Sequence, residues 1–184
     1  GEFINETTIT LNDDWNLIGS ISSPVDVNTI IDEYNLIIPG TVYGFEGGYF
    51  DAETIEPGYG YWLRSTGDGE ITLTFGVSAR VAPQDYSLKD KANTLSINGS
   101  ELYFGVELSQ RERLSYSLPP KPPLGGKDIR FSGDTKLCST DECLVEIMNN
   151  GNPLTFDCNI KDGEVWELID KRGKVFECDG VNVL

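Results

Sequence analysis

The sequence predicts a mainly β protein: a small β-rich module with one short helix, followed by a disulfide-bearing Ig-like β-sandwich. Three observations predict it. Short segments of alternating apolar and polar residues recur every 8–12 residues, separated by Gly, Pro, Asn and Asp turns, the spacing of sandwich strands. This pattern lapses over residues 77–92, which hold Pro83 and the charged Lys89-Asp90-Lys91 and read as a linker or module edge between residues 5–76 and 93–184. All four cysteines (Cys138, Cys143, Cys158 and Cys178) fall in the last third.

In the first module, Thr8 to Leu11 alternates and Asn12-Asp13-Asp14 is turn material. Trp15 to Ile21 reads as the second strand. Val27, Ile30, Ile31 and Tyr34 fall on one helical face, with Asp26 or Ser23 as cap, so Val27 to Tyr34 is the expected helix. Thr41 to Phe45 and Tyr49 to Ala52 flank Glu46-Gly47-Gly48 as a hairpin. Gly60 to Ser65 and Glu70 to Phe75 flank Thr66-Gly67-Asp68-Gly69 as another.

In the second module, Thr94 to Ile97 and Glu101 to Val106 flank Asn98-Gly99, the strongest short hairpin signal. Leu114 to Leu118 alternates like a strand and runs into the polyproline segment Pro119-Pro120-Lys121-Pro122-Pro123. Further strands are expected at Asp128 to Phe131, Leu144 to Met148, Leu154 to Ile160, Val165 to Ile169 and Lys174 to Glu177. The sequons at Asn5 and Asn98 read as a terminus and a hairpin turn.

The chain has 184 residues and a net charge of −16. Residues 1–76 hold 13 acids and a single base, Arg64, for a net of −12; residues 77–184 hold 17 acids and 13 bases, for a net of −4. Such a field repels phosphate backbones and anionic lipid, so neither nucleic acid nor membrane is an expected partner. It reads first as solubility, with cation binding as the sharper alternative. No apolar run approaches the roughly 20 residues that span a bilayer. No signal peptide is present; Gly1-Glu2-Phe3 reads as a vector remnant and the chain as an excised piece of a longer protein.

Histidine is absent, which removes Ser-His-Asp and Cys-His catalysis and the imidazole ligands of most catalytic zinc sites. Acid–base work would need carboxylates, Lys or Tyr instead; the paired carboxylates available are Asp13-Asp14, Glu53 with Glu56, and Asp141-Glu142. Adjacent acids in turns are usually solvated, and no hydrolase motif surrounds these, so no catalytic residue is assigned. Asp13-Asp14 and Asp68-Gly69-Glu70 leave structural calcium open, but match no EF-hand loop or calcium repeat. No other cofactor is expected.

An even cysteine count in a small β-rich region points to two disulfides and an oxidising compartment; free thiols and a metal site are the weaker alternatives. Three connectivities exist. Cys138 with Cys143 would clip a short polar loop, and Cys158 with Cys178 would join two strand ends; Cys143 with Cys158 and Cys138 with Cys178 is the alternative.

Aromatic residues are the main candidates for ligand contact, because sugar rings present apolar faces that stack on them. Tyr43, Phe45, Tyr49, Phe50, Tyr59, Tyr61 and Trp62 crowd into 20 residues. Alternation sets Tyr59 and Tyr61 on one face and Trp62 on the other. Trp62 and Trp15 are expected in the core; Tyr49 and Tyr59 are the rings best placed for exposure, although core or rim packing is the favoured reading for both. Tyr49, Tyr59 and Tyr43 are therefore the candidate carbohydrate-binding residues.

Trp15-Asn16-Leu17-Ile18-Gly19, Val42-Tyr43-Gly44-Phe45 and Glu56-Pro57-Gly58-Tyr59-Gly60-Tyr61-Trp62-Leu63 carry a resemblance to a β-rich repeat near the C-terminal ends of large secreted bacterial proteins. Arg113 to Pro123 and Asp128 to Ser132 resemble the region preceding a type IX secretion sorting domain. The sorting domain itself is not in the sequence. The resemblance implies the accessory region of a secreted or cell-surface protein of the Bacteroidetes–Chlorobi group or its relatives. The expectation is a non-catalytic binding region of an enzyme or adhesin, with polysaccharide and the parent's catalytic domain as partners. The alternative is a spacer that binds nothing.

Overall fold

In the computed structural model, which describes residues 2–76, 87–151, 153–178 and 181–183, the chain divides into two compact units, Gly1–Tyr86 and Ser87–Leu184. The protein is mainly β. Of the expected linker, residues 77–86 lie outside the described residues. Leu88 and Ala92, beyond them, are buried against Tyr103, Tyr116 and Leu137 of the second unit.

The first unit contains β1 (Glu6–Leu11), β2 (Asp14–Ile18), β3 (Val25–Asp26), β4 (Ile37–Phe45), β5 (Tyr49–Asp51), β6 (Thr54–Ile55), β7 (Tyr61–Ser65) and β8 (Gly69–Thr74). They form a four-stranded sheet, β2-β7-β4-β5, and the two-stranded ladders β1-β8 and β3-β6. Neighbouring strands are antiparallel throughout. The core lies between them: Leu11, Ile18, Val42, Ile55, Tyr61, Leu63, Ile71 and Leu73 are all buried.

The turn expected to join a hairpin at Thr66 to Gly69 does something else. β7 and β8 are not partners; β7 pairs with β2 and β8 with β1. Leu11 faces Gly69 and Asp14 faces Ser65, so Asn12-Asp13 lie opposite Thr66-Gly67-Asp68. The unequal count is a bulge, and it bends one long antiparallel ladder from one sheet into the other. Asp68 Oδ1 accepts from the Asp13 amide at 2.8 Å, and Arg64 Nε donates to Asp14 Oδ1 at 2.7 Å, pinning the corner.

The expected helix is also corrected. Asp26 caps it as foreseen, accepting from the Asn28 amide, but only Val27–Thr29 coils, as a 3-10 turn. Val27, Thr29, Ile30 and Ile31 are β-branched and lose rotamer freedom in a helix. Ile31 gains a better alternative: it exchanges backbone hydrogen bonds with Thr72 of β8, at 3.0 and 2.9 Å. Tyr34, placed on the apolar helix face by its spacing, is 75% exposed.

The expected Glu46-Gly47-Gly48 hairpin forms, with Phe45 opposite Tyr49 and Gly47 at φ 71°. The Phe50 ring lies over Gly44, its partner across the strands, where any Cβ would collide with it.

The second unit contains β9 (Asn93–Ile97), β10 (Ser100–Phe104), α1 (Gln110–Leu114), β11 (Asp128–Phe131), β12 (Val145–Met148), β13 (Thr155–Asn159), β14 (Glu167–Ile169), β15 (Val175–Glu177) and β16 (Val181–Val183). A four-stranded sheet, β10-β9-β13-β16, shares its core with the ladders β11-β12 and β14-β15. Leu95, Ile97, Leu102, Phe104, Phe131 and Phe156 fill that core. Asn98 (φ 47°) and Gly99 (φ 85°) make the two-residue turn between β9 and β10, both left-handed as a type I′ turn requires. Gly99→Ala forces a Cβ into that conformation, and is expected to lower the urea midpoint of this unit by the equivalent of about 1 kcal/mol.

Leu114 to Leu118, expected as a strand, instead ends α1. Ser109 caps the helix and Glu112 returns a bond to the Ser109 amide, a complete capping box. Only past the helix does the chain pair, through Ser117 with Thr135.

Both disulfides form with the favoured connectivity. Cys138–Cys143 spans a Cα–Cα distance of 6.1 Å and Cys158–Cys178 one of 5.2 Å. Two structural disulfides belong to a protein of an oxidising environment. No helix among the described residues is long and apolar enough to cross a membrane.

Candidate functional site: an aromatic sheet face

The central sheet of the first unit has one face on its core and one turned away from it. Strand alternation assigns the side chains. On β7, Tyr61, Leu63 and Ser65 are buried, whereas Trp62 and Arg64 are only half-buried. On β2, Ile18 is buried and Leu17 is 66% exposed. Cross-strand register then gathers one face: Leu17 opposite Trp62, Trp15 opposite Arg64, Trp62 opposite Tyr43, Tyr43 opposite Asp51 and Phe45 opposite Tyr49.

The rings on this face form a continuous chain. Trp62 meets Trp15 edge-on at 6.5 Å, Trp15 meets Tyr43 at 6.0 Å, Tyr43 meets Tyr49 at 6.3 Å, and Tyr49 meets Phe45 at 5.4 Å. The Arg64 guanidinium lies 5.9 Å from the Trp15 ring while its Nε holds Asp14. One charged group thus braces Trp15 by a cation–π contact while it is itself fixed by an ion pair to Asp14.

The structure distributes the candidate tyrosines unevenly. Tyr49 is half-buried within the chain of rings. Tyr43 is 1% exposed, so it supports Trp15 and Tyr49 from beneath rather than meeting a ligand itself. Tyr59 is 67% exposed on the turn before β7 and belongs to none of these ring pairs.

The tryptophans reverse their expected places. Tyr61 is the core residue, 4% exposed, with its hydroxyl accepting from the Glu56 amide at 2.9 Å. Trp62 and Trp15 lie on the opposite, wetter face. Phe45, at 43% exposure, and Leu17 complete that face. The signal that marks it is Arg64: a charged residue two positions from Trp62 on a strand shares its face, and a charge is seldom turned inward.

The remaining candidates disperse. Asp14 is held by Arg64, and Asp68 by the Asp13 amide. Glu53 and Glu56 are exposed at either end of β6, and Asp141 and Glu142 are exposed in the Cys138–Cys143 loop. Among the described residues, no group of three acids or cysteines is placed to hold a metal. In the second unit, a groove of about 570 Å³ is lined by Arg113, Leu114, Phe131, Leu137 and the Cys138–Cys143 loop. Its hydroxyls, such as Ser117 and Thr135, have no imidazole base anywhere in the sequence.

Comparisons with protein-family models, with curated proteins and with solved structures find no match.

Proposed function

We propose that this chain is a non-catalytic accessory region of a secreted bacterial enzyme or adhesin, and that its first unit binds polysaccharide through the aromatic face of its central sheet. The ring chain from Trp62 to Phe45 carries this reading. Four strands hold it rigid, so contact with a sugar costs little ordering of side chains. Acids at its margins, Asp51 opposite Tyr43 and Glu46 next to Phe45, accept hydrogen bonds from sugar hydroxyls. The resemblance to C-terminal regions of secreted proteins, the disulfides and the absence of histidine support an accessory role outside the cell.

Affinity electrophoresis of the whole chain through a panel of soluble polysaccharides tests it. Retardation by at least one glycan is expected. Trp62→Ala is expected to weaken it about ten-fold, since truncating a central interface aromatic costs more than about 1 kcal/mol. Tyr59→Ala, off the ring chain, is expected to have the smaller effect. Unretarded migration throughout the panel would leave the spacer role, in which the unit only separates a catalytic domain from a sorting signal.

A further inference from the structure

Glycans differ in charge and in how their rings are presented, and the aromatic face discriminates on both counts. Residues 1–76 carry 13 acids against Arg64 alone, and Arg64 is committed to Asp14 and Trp15. Asp51 stands on the face itself and Glu46 in the turn beside it. A polyuronate or sulfated glycan approaching this surface meets repulsion, and among the described residues of the first unit no cation besides Arg64 stands by to receive its acid groups.

Ring geometry supplies the second discrimination. A crystalline polysaccharide offers a flat sheet of parallel sugar faces, which demands neighbouring aromatic rings in one plane. Here successive rings are inclined at 89°, 52°, 67° and 67°. Tyr43, in the middle, is sunk beneath its neighbours, leaving two partly exposed ring pairs, Trp62 with Trp15 and Tyr49 with Phe45. Within each pair one ring offers its edge where the other offers its face. A flat crystal surface can lie on one such ring at a time; a free chain can turn between them.

Resting on the glycan-binding reading above, we propose that the face takes single, uncharged glycan chains from solution and rejects both crystalline polysaccharide and anionic glycans. Attraction between uncharged sugar and ring has no long-range Coulomb component, so added salt leaves it unchanged.

The test runs the whole chain through native gels containing mixed-linkage β-glucan, laminarin or polygalacturonate, and beside it a pull-down on crystalline cellulose and crystalline chitin. Expected are retardation in a neutral glucan, unchanged from low to high salt, and its loss by about ten-fold in both Trp62→Ala and Phe45→Ala, with no pull-down. Phe45 is the more exposed of the two, so that variant keeps the test decisive if Trp62→Ala misfolds. Retardation by polygalacturonate equal to that by the neutral glucans overturns the charge discrimination. Pull-down on either crystal that Phe45→Ala abolishes overturns the geometric one. Both results leave glycan binding itself standing. No retardation and no pull-down in any arm removes this proposal together with the reading it rests on.

Discussion

Replacing Arg130 with methionine is expected to destabilise the second unit by about 3–5 kcal/mol, a large share of the 5–15 kcal/mol typical of a domain. Arg130 is fully buried. Its Nε and Nη2 grip both Asp128 oxygens at 2.5 and 2.6 Å, and its Nη1 donates to Asp134 Oδ1 and to the Pro119 carbonyl, each at 2.8 Å. Burial alone would lower the pKa of this group; the hydrogen bonds and charge of Asp128, then of Asp134, outweigh it and raise the pKa. The guanidinium therefore stays charged, and what it holds is architecture: β11, the tight turn at Asp134 and the start of the polyproline segment meet on one side chain. Lys121 within that segment also pairs with Glu146 of β12, whose carboxyl is held below its ordinary pKa by the Lys121 ammonium.

Arg130→Met removes the cation and leaves the Asp128 carboxylate, 9% exposed, without its partner. Arg130→Lys restores charge but not the planar two-point grip, and is expected to remain destabilised. Changing both partners, Arg130→Met with Asp128→Leu, is expected to recover most of the loss, because no buried orphan charge remains; Asp134, with its side chain 55% exposed, is left to water. Urea unfolding followed by Trp166 fluorescence reads all three. A shift below about 1 kcal/mol for Arg130→Met would mean water or a neighbour compensates Asp128, and the account of this network would be wrong.

Removing the Cys158–Cys178 bridge is expected to cost about 3 kcal/mol, against about 2 kcal/mol for Cys138–Cys143, from the chain-entropy treatment of the loops each closes. The sequence separations are 20 and 5 residues. The longer bridge is buried at both ends, Cys158 and Cys178 packing with Phe156, whereas in the shorter one Cys138 is buried and Cys143 only half-buried. Paired alanine substitutions measured by thermal unfolding separate the two effects. The Cys138–Cys143 pair lines the groove on the second unit, where a local opening leaves the sheet intact. If its removal proved the more damaging, loop closure would not be the governing effect.

Where neighbours in sequence decided the outcome, the sequence was readable. Asn98-Gly99 demands left-handed backbone at both positions, and a two-residue turn between alternating strands follows at once. Glu46-Gly47-Gly48 and the strands around Lys171-Arg172-Gly173 follow similarly, with Ile169 opposite Val175. The disulfide pairing was also legible, because each half-cystine lies at the end of a recognisable strand or loop. Ser109 with Glu112 is an equally local signal for α1, but it competes in the sequence with the alternation of Leu114, Tyr116 and Leu118, which speaks for a strand.

What only the tertiary structure decided was which distant segments meet. Val27 to Tyr34 has helical spacing, but Thr72 offers Ile31 a strand partner that no local pattern announces. The Thr66 to Gly69 turn looks like a hairpin turn, yet β7 lies between β2 and β4 and β8 pairs with β1, so the ladder around the turn is closed by β2 and β1, more than 40 residues away. The aromatic face shows the same division. Alternation told that Trp62 and Tyr61 point opposite ways, and the composition told that the module is acidic and rich in rings. Which of the two faces the core depended on β1, β3, β6 and β8 covering the Tyr61 side. A period of two defines a pair of faces without ranking them, and the ranking comes only from the elements that long-range pairing lays against one of them.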